Sequence, residues 1–183
     1  MASDHPLPLI WLLSDARNDA HLEQSLECLP PGSGFVFRHY HLQKDVRVRR
    51  FAALCGIARR NGHVVVLAGN EDWPADGTYG GRRRRETGLH LATAHDGPEL
   101  QAAVRDRADG VFLSPVFRTA SHPGGVTLGL QGFHTLAQQS PIPVIALGGM
   151  DAARARLLGW PRWGAIDGLT SDSPPPHTAG PTD

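Results

Sequence analysis

The 183-residue sequence has only two cysteines, no excess of either charge and no long apolar run. Each shortage excludes something. Cys28 and Cys55 lack the close spacing of metal ligands and fall in helix-like stretches, which suits reduced thiols in a cytoplasmic protein. Eighteen basic residues balance eighteen acidic ones. Such a chain has no global pull on nucleic acid or on a charged membrane, and neither is expected as a partner. No apolar run reaches the ~18 residues needed to cross a bilayer. The N-terminal stretch has no basic segment followed by a long apolar one, so no signal peptide is expected.

What the chain does contain is an alternation of short apolar runs with longer amphipathic ones. Residues 8–15, 34–41, 63–69, 88–95, 110–117, 143–149 and 164–169 read as strands, with a weaker one at 77–81. Helices are predicted at 19–28, 49–62, 97–108, 128–140 and 151–159. Fully apolar strands separated by helices imply a parallel sheet buried on both faces. Eight strands favour a closed barrel over an open sheet. The fold class expected is therefore α/β, a compact (β/α)8 TIM-type barrel with eroded helices after strands 3 and 4 and no eighth helix. Residues 1–170 form the single domain. Residues 171–183, rich in proline and serine, are expected to be a disordered tail.

In such a barrel the chemistry sits at the C-terminal ends of the strands. Those ends carry Asp15, Arg38 to His41, Ala68 to Asn70, Thr93 to His95, Arg118 to Gly125, Gly148, Gly149 and Gly168. The stretch "SPVFRTASHPGG" (114–125) crowds hydroxyls, an arginine, a histidine and glycines into one connection, and the late turns are rich in glycine. Hydroxyls and exposed backbone N–H groups at such turns suit a phosphate dianion.

From about residue 88 to 170 the order of "TAH", "ADGV", "SPVFRTASHP" and "IPVIALGG" resembles the thiamine-phosphate synthase and TenI family. "FVFRHYHL" and "DGTYGG" extend the likeness toward the N-terminus. The resemblance implies a cytoplasmic transferase that joins a hydroxymethylpyrimidine diphosphate to a thiazole phosphate, releasing pyrophosphate with the help of Mg²⁺. Its partners would be those two phosphorylated small molecules. By position, Thr119, Ser121, Gly148 and Gly149 would hold the thiazole phosphate, with Gly168 on the last turn. Thr93 joins this substrate-binding set from the fifth strand end. Arg38 matches the family's phosphate-contacting arginine, and His122 closes the loop where the family has lysine.

The chain also departs from the family. Tyr40 stands where the family has a second basic residue. Ala68 and Gly69 take the place of an Asn-Asp pair on the metal side, and the other metal-binding aspartate falls in Arg82–Arg85. No metal ligand is matched, although Asp72 and Asp76 are near enough in sequence to stand in. A thiazole tautomerase or a non-catalytic thiazole-phosphate binder therefore stays open beside the synthase. A tautomerase needs one proton shuttle, for which His122 is the candidate.

Several residues have a bland reading beside the functional one. Arg38, inside an apolar strand, is a structural ion pair or an anion contact. His95 is a helix N-cap or a catalytic group. Arg82–Arg85 are a solvated loop or a diphosphate patch. His39 and His41 share a strand face with no third zinc ligand near, and Gly148 and Gly149 also suit a tight packing turn. The missing eighth helix is expected to bare apolar surface near 1–15 and 164–170, which a homodimer would cover.

Overall fold

The computed structural model describes residues 7–81, 87–119 and 124–169. Eight strands close into a parallel barrel in sequence order. They are β1 (Ile10–Leu13), β2 (Gly34–Phe37), β3 (Val64–Ala68), β4 (Gly77–Tyr79), β5 (Leu89–Ala94), β6 (Gly110–Leu113), β7 (Val144–Ala146) and β8 (Trp163–Ala165). Five helices follow strands 1, 2, 5, 6 and 7: α1 (Leu22–Cys28), α2 (Lys44–Arg60), α3 (Gly97–Arg105), α4 (Gly129–Gln138) and α5 (Ala152–Leu158). Among the described residues no helix follows β3, β4 or β8. Nor, among them, is any helix long and apolar enough to cross a membrane.

Alternation along each strand divides the core in two. Trp11, Leu13, Val36, Val66, Leu91, Phe112 and Ile145 fill the barrel interior. Leu12, Phe35, Val65, Val111 and Val144 join the helical side chains in the outer layer. Trp11 explains two glycines. It pairs with Gly34 on one side and Gly164 on the other, and a side chain at Gly34 would collide with the indole. At Gly164 a side chain would crowd Leu13 at 3.0 Å and Trp11 at 3.1 Å, so both neighbours of Trp11 are kept small.

Trp73 makes good the missing third helix. Its ring lies 5.3 Å from Phe51 of α2 and 6.5 Å from Phe37, so one aromatic side chain covers part of the outer face of the sheet.

The surface expected to lie bare beside β1 and β8 is in fact covered. Ile10, Leu12, Trp163 and Ala165 are buried in one cluster with Leu22 and Leu26 of α1 and Leu158 of α5. These strand residues are already buried, so this argument for a homodimer loses its basis. Leu9 and Leu157 do remain exposed.

Candidate functional site

A cavity of about 1000 Å³ opens at the C-terminal ends of the strands. Arg38 and Tyr40 reach it from the end of β2, Tyr79 and Gly80 from β4, and Thr93 and His95 from β5. Ser114, Pro115, Arg118 and Thr119 follow β6; Gly148, Gly149, Asp151 and Arg154 follow β7; Ile166 to Gly168 follow β8. Six residues singled out in the sequence therefore line one cavity: Arg38, Thr93, Thr119, Gly148, Gly149 and Gly168. Ser121, His122 and Arg82–Arg85 lie outside the described residues.

The turn after β7 is the tightest part. Gly148 and Gly149 have φ of +94° and +62°, the left-handed region that favours glycine. Val116 and Phe117 donate to the carbonyls of Leu147 and Gly148 at 2.9 and 3.1 Å, which fastens the post-β6 loop to this turn. Arg154 donates to the Gly149 carbonyl at 2.6 Å and lies over the Phe117 ring. The N–H groups of Gly148 and Gly149 have no acceptor among the described residues. Adjacent backbone N–H groups without an acceptor among the described residues, in a turn that shares its cavity with Thr119, are the kind of group that binds an anion.

At the opposite side stands Arg38. β2 ends at Phe37, so Arg38 is the first residue beyond the strand rather than inside it. The structural ion pair is present. Arg38 Nη2 donates to Asp15 Oδ2 at 2.7 Å, yet the side chain lines the cavity and its buried Nε has no partner. Tyr79, whose hydroxyl bonds Arg38, is pushed upward by burial, so it stays a neutral phenol. Burial tends to raise Asp15, but hydrogen bonds and charge from Arg17, with the charge of Arg38, hold it below the ordinary carboxylate value.

Two buried networks back this arginine, and neither was found in the sequence. His39 bonds Ser14 Oγ through Nδ1 and Asp19 Oδ1 through Nε2, both at 2.7 Å. His39 and His41 both lie beyond the end of β2, with ring centroids 5.1 Å apart, and neither ring nitrogen of His39 is free for zinc. The second network centres on Arg47 of α2, which is 5% exposed. Arg47 bonds the carbonyls of Arg38 (3.0 Å) and Ala68 (2.5 Å) and pairs with Glu71 at 2.6 Å. Phe37, Tyr40 and Trp73 surround its guanidinium, with ring centroids 5.1 to 5.6 Å away. A signal was present: extending the apolar stripe Phe51–Leu54–Cys55–Ala58 back by four residues lands on Arg47.

His95 is not the N-cap of α3. Asp96 caps it by accepting from the Glu99 N–H, while the N–H and Nδ1 of His95 both meet Glu99 Oε2.

The thiamine monophosphate synthase family model matches residues 83–159. Thiamine-phosphate synthase of Chloroflexus aurantiacus is 29% identical over 164 residues, covering 80% of this chain and 76% of that protein. Thiamine phosphate pyrophosphorylase from Pyrococcus furiosus superposes with a TM-score of 0.72 at 19% identity, covering 87% of this chain and 85% of that one. The chain is thus similar to the thiamine monophosphate synthase/TenI family in sequence and to one of its solved members in fold. FabK from Thermotoga maritima shares the fold more distantly, with a TM-score of 0.59 at 17% identity over 92% of this chain and 61% of that one.

Mg²⁺ is typical of the thiamine monophosphate synthase family, but the described residues do not fit it. A side chain at Gly69 would run into the Glu71 carboxylate and, at 3.2 Å, the Arg47 guanidinium. A cation already stands there. Asp76 cannot substitute, because its Oδ2 accepts from Val65 N–H near the start of β3, at the other end of the barrel. Asp72 is exposed and does not line the cavity. Among the described residues no three His, Cys, Asp or Glu side chains converge on a metal.

Proposed function

We propose that the barrel binds the thiazole phosphate of thiamine biosynthesis at the turns after β6, β7 and β8 and condenses it with hydroxymethylpyrimidine diphosphate. The observation that carries this reading is the pair of N–H groups without an acceptor among the described residues at Gly148 and Gly149, which line the same cavity as Thr119 at the C-terminal ends of the strands. Ser121 would add a hydroxyl, Gly168 would leave room on the last turn and Thr93 would contact the ring from β5. Arg38 would face the diphosphate through its partnerless Nε. A guanidinium is always charged and forks onto two oxygens, so it stabilises charge as the diphosphate departs. His122 would complete the loop. Residues 1–170 would act as one cytoplasmic ligand-binding domain.

A second reading, a TenI-like tautomerase or a thiazole-phosphate binder, is favoured by the pairing of Arg38 with Asp15 and of Arg47 with Glu71. Both cations are neutralised within the protein, which weakens the diphosphate half of the cavity but leaves the thiazole half as it is. One experiment separates the readings. The protein is incubated with both substrates, and thiamine phosphate and thiazole isomer are measured. Thiamine phosphate supports the condensation. Isomerisation alone supports the tautomerase. Binding without either product leaves a binder.

A further inference from the structure

Asp19, His39 and Ser14 stand in the order of a hydrolytic triad, yet Ser14 is fully buried and absent from the cavity wall. It cannot meet a substrate as a nucleophile. Its hydroxyl instead accepts from the backbone N–H of Arg38 at 2.8 Å.

The proton positions along this chain are forced. Asp19 is ionised and can only accept: burial raises it, but hydrogen bonds from His39 and Arg50 outweigh burial and hold it below its ordinary value. His39 Nε2 therefore donates; burial holds the ring below the ordinary imidazole value, and in the neutral ring Nδ1 is the acceptor. The Ser14 hydroxyl must donate to Nδ1, and its oxygen is then the acceptor for Arg38 N–H. Every donor in the line has one acceptor.

We infer that Ser14 and His39 are positioning residues for Arg38, relaying the fixed carboxylate of Asp19 to the Arg38 peptide so that its guanidinium is presented to an anionic group in the cavity. Two further observations agree. His39 has φ of +31°, unusual for a residue with a side chain, and such strain persists where the surroundings over-determine it. Its ring is pinned on both nitrogens and stacked on Phe37 at 4.8 Å and 10°. On the other side of the peptide, Arg47 holds the Arg38 carbonyl. The Arg38 backbone is thus held at its N–H by Ser14 and at its carbonyl by Arg47, both buried, and the residue lines the cavity. Asp19 is itself held by Arg50, which also pairs with Glu23.

This inference rests on the reading of Arg38 as the diphosphate contact. Its test is calorimetric titration with two probes, inorganic pyrophosphate and thiazole phosphate, on the wild type and on Ser14→Ala, Asp19→Asn and Arg38→Ala. Pyrophosphate affinity should fall about fivefold or more in Ser14→Ala, and less in Asp19→Asn, since one hydrogen bond is worth about 1 kcal/mol. Thiazole phosphate affinity should change less than about twofold in both, the scale of a small surface effect. Equal loss of both ligands would mean that Ser14 only maintains the fold, and the inference would be overturned. Unchanged pyrophosphate affinity in Ser14→Ala, with loss in Arg38→Ala, would overturn it alone. Absence of pyrophosphate binding by the wild type would remove the reading of Arg38, and the inference with it. Asp19→Asn keeps the test usable if Ser14→Ala does not fold, because Asp19 is partly exposed.

Discussion

The Cα of Pro115 lies 2.6 Å from the point a Cβ on Gly148 would occupy, so the chain leaving β7 rests directly on the chain leaving β6. Such a distance leaves no room for any side chain. Gly148 also has a positive φ, whereas Gly80, with φ of +73°, faces open space. Gly148→Ala is therefore expected to cost about 2 kcal/mol or more, and Gly80→Ala about 1 kcal/mol, from the left-handed backbone alone. Urea denaturation of the two variants checks the difference. In any folded Gly148→Val protein, thiazole phosphate affinity should drop at least about tenfold, since the side chain would cover the N–H groups. Unchanged affinity would move the phosphate elsewhere.

Arg47 and Glu71 form a pair whose two ends differ in burial, at 6% and 26% side-chain exposure. Burial raises the Glu71 carboxyl, but the hydrogen bond and charge of Arg47 overcome it and hold the group low. Arg47→Ala leaves that carboxylate and the carbonyls of Arg38 and Ala68 without their donor. A loss of about 3 kcal/mol is expected, near the lower end for breaking a buried pair. Glu71→Gln should cost less, because the amide oxygen still accepts and water reaches the site. Chemical denaturation curves would show the order reversed if Arg47 were a surface cation.

Stability should fall between about pH 7 and pH 5. Burial lowers both His39 and His63 below the ordinary imidazole value, and the Asp19 contact offsets this only in part for His39. Below about pH 6.5 the unfolded chain then binds more protons than the folded one. The contribution of these two rings is complete above that pH and is lost as pH falls toward their folded values. Asp15, Asp19, Glu23 and Glu71, also held low, add their loss only below about pH 4. Thermal melts at several pH values test the slope, and imidazole NMR titration tests the assignment. A flat profile from pH 7 to 5 would show both rings titrating normally.

Thiamine phosphate formation, where measured, should depend weakly on Mg²⁺ and strongly on salt. With Arg38 facing the diphosphate, chelator is expected to change the rate less than about twofold, while high salt screens the guanidinium and slows it. The turnover expected is well below an ordinary ~10 s⁻¹. Rapid turnover abolished by chelator would establish a metal site outside the described residues.

The barrel itself was legible in the sequence. Each strand is a short apolar run, and each retained helix shows its stripe or its boundary residues, because burial of a periodic face acts over a few residues at a time. The positions of Arg38, Thr93, Thr119, Gly148, Gly149 and Gly168 around one opening followed from the same count, since every parallel strand delivers its C-terminal residue to the same end. Local pattern could not reveal how those groups are paired. Whether Arg38 is neutralised by Asp15 depends on the approach of residues 23 positions apart, and the Asp19–His39–Ser14 line joins two different strand ends. Gly69 read only as a lost metal ligand until the fold set the guanidinium of Arg47 beside it. Asp76, near Asp72 in sequence, was carried to the far end of the barrel by the direction of β3 and β4. Sequence determined which residues reach the cavity end, because strand direction and period are local. Tertiary structure decided which charges remain available there, because hydrogen bonds and ion pairs depend on distances through space that spacing along the chain does not encode.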